Sequence, residues 1–130
     1  MPCNTSQVLV VDDEPAIHRL LERMLATRGV GALHANSFAV ALDAASRQSI
    51  SAIVLDLHLR VAESGLDVLR WLRASPAYGS LPVFVFTGTE VLSEEEEAAV
   101  AYYGAEVFFK AADVKKLVDR LAAVSLGTPS

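Results

Sequence analysis

The chain has 130 residues, of which 52% are apolar and 21% charged, enough for one full hydrophobic core and too apolar for a disordered segment. Its 11 lysines and arginines stand against 16 aspartates and glutamates, a formal charge of −5, which argues against direct binding to a nucleic-acid backbone. The single cysteine, Cys3, excludes an internal disulfide, and no apolar run is long enough to cross a bilayer.

The opening MPCNTSQ lacks the charged and apolar regions of a secretion signal, so the expected location is cytoplasmic. VLVV (8–11) is the first predicted strand. Behind Pro15, residues Ile17, Leu20, Leu21, Met24 and Leu25 recur at helical spacing, with Gly29 suited to the stop. VGALHA (30–35) is a weaker strand, expected near an edge, and Ser37 can cap a helix through FAVALDAASR. AIVL (52–55) is a strand; GLDVLRWLRAS (65–75) is a helix with Leu66, Leu69 and Leu72 inward. VFVF (83–86) is the next strand, and Ser93 with Glu96 forms a capping box that opens a helix through the acidic run 94–97. EVFF (106–109) is the last strand, followed by a helix from about Asp113 with Val114, Leu117, Val118 and Leu121 on one face, then a polar tail over 125–130. The strands do not alternate apolar with polar, as a parallel sheet covered on both faces requires. Strand and helix alternate along the chain, which predicts an α/β doubly wound sheet with ligands beyond the carboxyl ends of its strands.

At those ends stand Asp12, Asp13 and Glu14, then Asp56, then Thr87 with Gly88, then Lys110. Crowded carboxylates must take up protons or a cation. A hard ion such as Mg²⁺ suits oxygen ligands, and the absence of a cysteine and of a clear imidazole from the set disfavours zinc. The lysine and the threonine suit phosphoryl oxygens, which makes Asp56 a candidate phosphoryl acceptor.

With DDE after the first strand, VLDL around Asp56, TG after the fourth strand and a lysine after the fifth, the chain resembles the receiver domain of two-component response regulators, of the chemotaxis-regulator type. The likeness spans about residues 7–124 and implies one receiver domain over 1–130 with a flavodoxin-like (βα)5 fold, its five parallel strands in the order 2-1-3-4-5. It further implies that a sensor histidine kinase or histidine phosphotransfer protein passes phosphate to Asp56. Mg²⁺ would be held by Asp13, Asp56 and the backbone carbonyl of His58, with Asp12 helping through water. Lys110 and Thr87 would contact the phosphoryl group, and the shift of Thr87 would reshape the face built from the fifth strand and the two helices that flank it in sequence. The output would be a downstream protein or an output domain outside this sequence, with a weak homodimer possible in principle. Such a chain is a signalling domain and not an enzyme.

The sequence departs from the family at several places. Arg60 stands where a proline is usual, and Ser64 where a glycine is usual, with Gly65 one residue later. Ala111 follows Lys110 in place of a cis-proline; a cis bond without proline costs ~3 kcal/mol, so a trans bond and a rearranged loop are expected. Val107 replaces the aromatic that often turns with the threonine, leaving Phe109 or Tyr103 as substitutes. These changes keep open an alternative, a receiver-like interaction module that no longer switches. An aspartate-nucleophile phosphatase would want a second acid where His58 stands, and a flavin carrier would not place DDEPA at its phosphate loop. His58 and Thr89 border the acceptor and are candidates to tune the lifetime of a phosphate there.

Overall fold

The computed structural model describes residues 7–35, 37, 50–58, 65–76, 78–89 and 91–126. Five strands, β1 (Gln7–Val11), β2 (Gly31–Ala35), β3 (Ile50–Leu55), β4 (Val83–Thr87) and β5 (Glu106–Phe109), form one parallel sheet in the order β2-β1-β3-β4-β5. Four helices lie among the described residues: α1 (Pro15–Ala26), α2 (Gly65–Ala74), α3 (Glu94–Tyr103) and α4 (Val114–Leu126). The expected helix through FAVALDAASR, Cys3, Arg60 and Ser64 fall outside the described residues.

Successive side chains of a strand point to opposite faces, so a sheet covered on both sides needs apolar residues at every position. Val8 and Val10 of β1 join Phe84, Phe86 and the inward faces of α1 and α4, where Leu21, Leu25, Leu117 and Leu121 are fully buried. Leu9 and Val11 point the other way, onto Leu69 and Leu72 of α2. Val85 of β4 packs with Leu57 and with Val100 of α3. The same alternation splits the two phenylalanines of β5: Phe108 stacks obliquely on Phe84, centroids 6.1 Å apart, while Phe109 lines a groove against α3.

The helix ends follow the expected signals. Pro15 opens α1, and Gly29 takes the left-handed conformation (φ 76°) beyond its end, where a Cβ would be strained. Ser93 and Glu96 close a reciprocal capping box on α3. Two expectations need correction. Leu20, placed on the inward stripe of α1, is 38% exposed, because Leu21 and Leu25 already fill the space against the sheet. The stretch expected as a polar tail from 125 begins as helix: α4 continues through Leu126, and Ser125 Oγ meets Ser51 Oγ at 2.7 Å.

At the β2 edge, His18 of α1 stacks on His34, ring centroids 4.6 Å apart and planes 15° apart. His18 Nε2 and His34 Nδ1 are buried without a hydrogen-bond partner. Burial first, and the His18 charge second, hold the His34 imidazole below its ordinary value, against the opposing pull of Glu22. The unfolded chain therefore takes up this proton first as pH falls. The His34 contribution to stability is complete above about pH 6.5 and is lost as pH falls from there through the lower value of the folded imidazole. Urea denaturation near pH 7.5 and near pH 5.5 is expected to show a lower midpoint at the acid end, with the difference smaller in His34→Leu.

Candidate functional site

Backbone hydrogen bonds that prolong the sheet set three of the candidate residues at strand ends. Asp12 N donates to Ala35 O (3.0 Å), Asp56 N to Val11 O (3.1 Å) and Lys110 N to Thr87 O (2.8 Å). The ladder thus runs one residue past β1, β3 and β5, and it presents their next side chains at one edge. Asp12 and Asp56 are 1% and 5% exposed, and Thr87 is fully buried. Asp13, Glu14, Asp56, His58, Gly88, Thr89 and Lys110 line one cavity of about 180 Å³.

Asp12, Asp13 and Asp56 each bring a carboxylate oxygen within 4.8 Å of the others, a grouping from which one hard cation could draw its oxygen ligands. Lys110 Nζ lies 3.2 Å from Asp56 Oδ2 and 2.9 Å from Asp12 Oδ2, and it also meets Glu14 Oε1. The contact to Asp12 is off the line of a hydrogen bond, so Asp12 Oδ2 is paired by charge yet buried without a donor. Asp12 Oδ1 accepts Glu14 N at 2.9 Å. Burial raises the Asp12 carboxyl above its ordinary value, more than the Lys110 and Glu14 N–H contacts lower it. Burial would lower Lys110, but its contacts with Glu14 and Asp12 and the charges of Asp12 and Asp56 outweigh this and raise it. The ammonium therefore stays charged. An acid cluster with an undonated buried oxygen is a donor set that fits Mg²⁺.

Of the candidates named from the sequence, Asp12, Asp13, Asp56 and Lys110 meet here, His58 lines the same cavity, and Thr87 borders it through His58. The loop after β5 follows the expectation for Ala111: every described peptide bond is trans, and Ala112 N and Asp113 N both donate to Phe109 O, turning the chain so that Lys110 reaches the pocket. Gly65 stands at a point of closest approach. Its N–H donates to Leu57 O, and a Cβ on it would lie 2.3 Å from Leu57 Cα and 2.6 Å from Asp56 O. The glycine expected one residue earlier is met by this one. The Glu14 contact to Lys110 was not foreseen, although its DDE run marks it as a neighbour of the site. Nor was the role of Glu96 beyond its helix cap: His58 Nε2 lies 2.7 Å from Glu96 Oε2, while His58 Nδ1 is 3.5 Å from Thr87 Oγ1. Tyr103 is turned away from the pocket: its ring meets Tyr102, and its carbonyl accepts Arg73 Nε at 2.7 Å.

The response regulator receiver domain model matches residues 8–122, and the chain belongs to that family. The chain is 33% identical over 125 residues to the sensory/regulatory protein RpfC of Xanthomonas campestris pv. campestris, covering 94% of this chain and 17% of that protein. It is 34% identical over 117 residues to the probable transcriptional regulatory protein TcrX of Mycobacterium tuberculosis, covering 90% of this chain and 48% of that one. The chain thus spans half or less of these relatives. A response regulator receiver protein from Pseudomonas putida superposes with a TM-score of 0.80 at 31% identity, covering 93% of this chain and 98% of that one. Receiver domains are signalling domains, and they generally bind Mg²⁺ at an acidic pocket of this kind. No described helix is long and apolar enough to cross a membrane.

Gly65→Ala is expected to push the Asp56–Leu57 backbone aside, at a cost of about 1–3 kcal/mol. Chemical denaturation of the variant beside wild type measures it; an unchanged midpoint would mean that the approach is not tight.

Proposed function

We propose that this chain takes a phosphoryl group from a histidine kinase or a histidine phosphotransfer protein onto Asp56. The observation that carries the reading is the meeting of a buried Asp56 carboxylate, a second acid pair and one lysine ammonium at the carboxyl edge of the sheet. In the reaction, an Asp56 carboxylate oxygen attacks phosphorus, the phosphorus–nitrogen bond of the phosphohistidine breaks, and the imidazole leaves with the electron pair. Held by Asp13, Asp56 and the His58 carbonyl, with Asp12 acting through water, Mg²⁺ would neutralise the carboxylates and the phosphoryl oxygens that approach them. Lys110 would exchange its Glu14 contact for a phosphoryl oxygen, and the Thr87 hydroxyl would donate to another. One new dianion then biases a two-state element.

The output is a partner protein, or a further domain of a longer chain, docking on the face of α3, β5 and α4. An acidic domain of this kind acts without touching nucleic acid itself, and we place it in the cytoplasm, where such kinases deliver phosphate. A weak homodimer through the same face is compatible with it.

Incubation with acetyl phosphate and Mg²⁺ is expected to add one phosphoryl group by intact-mass measurement, with none added in Asp56→Asn or in the presence of EDTA. A wild-type chain that gains no mass would favour the non-switching interaction module. Mg²⁺ alone, at roughly 100 times its dissociation constant, is expected to stabilise the fold by about 2.7 kcal/mol, and Asp13→Asn to lose most of that gain. An equal response in both proteins would remove Asp13 from the metal site.

A further inference from the structure

His58 makes three contacts that no other residue of the site combines. Its backbone N–H donates to Asp56 Oδ1 at 3.0 Å. Its Nε2 meets Glu96 Oε2, a contact across 38 residues of sequence. Its Nδ1 stands 3.5 Å from the hydroxyl of Thr87, itself fully buried at the end of β4. A neutral imidazole that donates its Nε2 proton to the Glu96 carboxylate keeps a bare lone pair on Nδ1, which suits a hydroxyl donor. Thr87 Oγ1 already accepts Thr89 N at 3.4 Å, so the proton of that hydroxyl is directed elsewhere.

The Glu96 carboxylate is held from two sides. Oε1 accepts Ser93 N at 2.8 Å within the capping box, and Oε2 takes the imidazole. Its side chain is only 15% exposed, although it lies in the first turn of a surface helix. Elsewhere that helix is held by Val100 and, at its far end, by the Tyr103 carbonyl, which accepts Arg73 Nε. Val100 is the one residue of α3 that is buried, and four consecutive glutamates occupy its first turn. Val107 supplies no ring that could carry a movement from Thr87 to this helix.

We propose that the His58 side chain is a positioning residue that couples the phosphoacceptor pocket to the N-terminal turn of α3. With Thr87 at rest, the imidazole is seated between the hydroxyl and Glu96 and holds that turn in place. When the hydroxyl turns to a phosphoryl oxygen, Nδ1 loses its donor, the half-exposed ring is released toward water, and its hold on Glu96 weakens. No covalent bond changes in this step. The inference rests on the phosphoacceptor reading and adds to it the route by which the pocket reaches the partner face.

Amide hydrogen exchange over residues 96–100 tests it, in wild type, His58→Leu, His58→Asn and Ser93→Ala, each with and without acetyl phosphate and Mg²⁺. In wild type, phosphorylation is expected to speed exchange there several-fold. Both His58 variants should exchange at that faster rate before phosphorylation and gain little from it. Ser93→Ala should also exchange faster at rest, yet still respond to phosphorylation, because the imidazole contact remains. Resting exchange in the His58 variants equal to wild type, or a full phosphorylation response in them, would overturn the proposal. Should wild type gain no phosphoryl mass, the phosphoacceptor reading fails by itself. The resting rates of the His58 variants then decide whether the imidazole holds α3: faster than wild type supports the hold, equal overturns it.

Discussion

Around Lys110, a single ammonium faces Asp12, Asp56 and Glu14, with Asp13 close beside them. Paired charges in a low-dielectric setting lose hydration that their mutual attraction only partly restores. Among the described residues the match is incomplete in number, since one ammonium serves Asp12, Glu14 and Asp56. Asp12 is so deeply buried that its carboxyl is pushed up despite the ammonium beside it. On the proposed function, such an edge would gain from a further cation. With that cation in place, the same reading has Lys110 give up its second partner, Glu14, for an anion. The pocket's chemistry is in this sense a consequence of its charge imbalance.

The sheet makes this imbalance possible. Parallel strands with crossovers on both faces bring every carboxyl end to one edge, and their apolar interiors hold that edge rigid. Val8, Val10, Val54 and Phe84 on one face, with Leu9, Val11, Ile53 and Leu55 on the other, are buried to within a few per cent. Asp12, Asp56 and Lys110 are each one residue past such a strand, so their positions follow from the ladder and not from flexible loops. Gly65 completes the geometry by letting α2 begin against the Asp56–Leu57 backbone.

The side of the molecule built from α3 and β5 has a different character. Its groove, of about 490 Å³, is lined by Val91, Leu92, Val100, Val107 and Phe109 among others, and Val91 is largely exposed. Few buried contacts hold α3 in place, whereas α1 and α4 are fastened by rows of leucines. Polar contacts therefore count for more in setting where α3 sits, and these are the contacts that reach back through Glu96 and His58 to the pocket.

Much of this was legible in the sequence. Continuous apolar runs such as VLVV and VFVF, short and rich in β-branched or aromatic residues, identify covered parallel strands, because such strands bury side chains on both faces. Strand-end acids, threonine and lysine declare the pocket, because their position relative to the strands is local information. Ser93 and Glu96 announce their cap for the same reason, being three residues apart. What tertiary structure alone decided are the contacts between distant segments: Lys110 on Glu14, His58 on Glu96, His18 against His34, and Leu20 turned outward while its helical neighbours fill the core. Local periodicity sets which face of an element is apolar. It does not set how far one element slides or rotates over another, and a shift of a few ångströms decides whether a glutamate meets a lysine, a histidine or water.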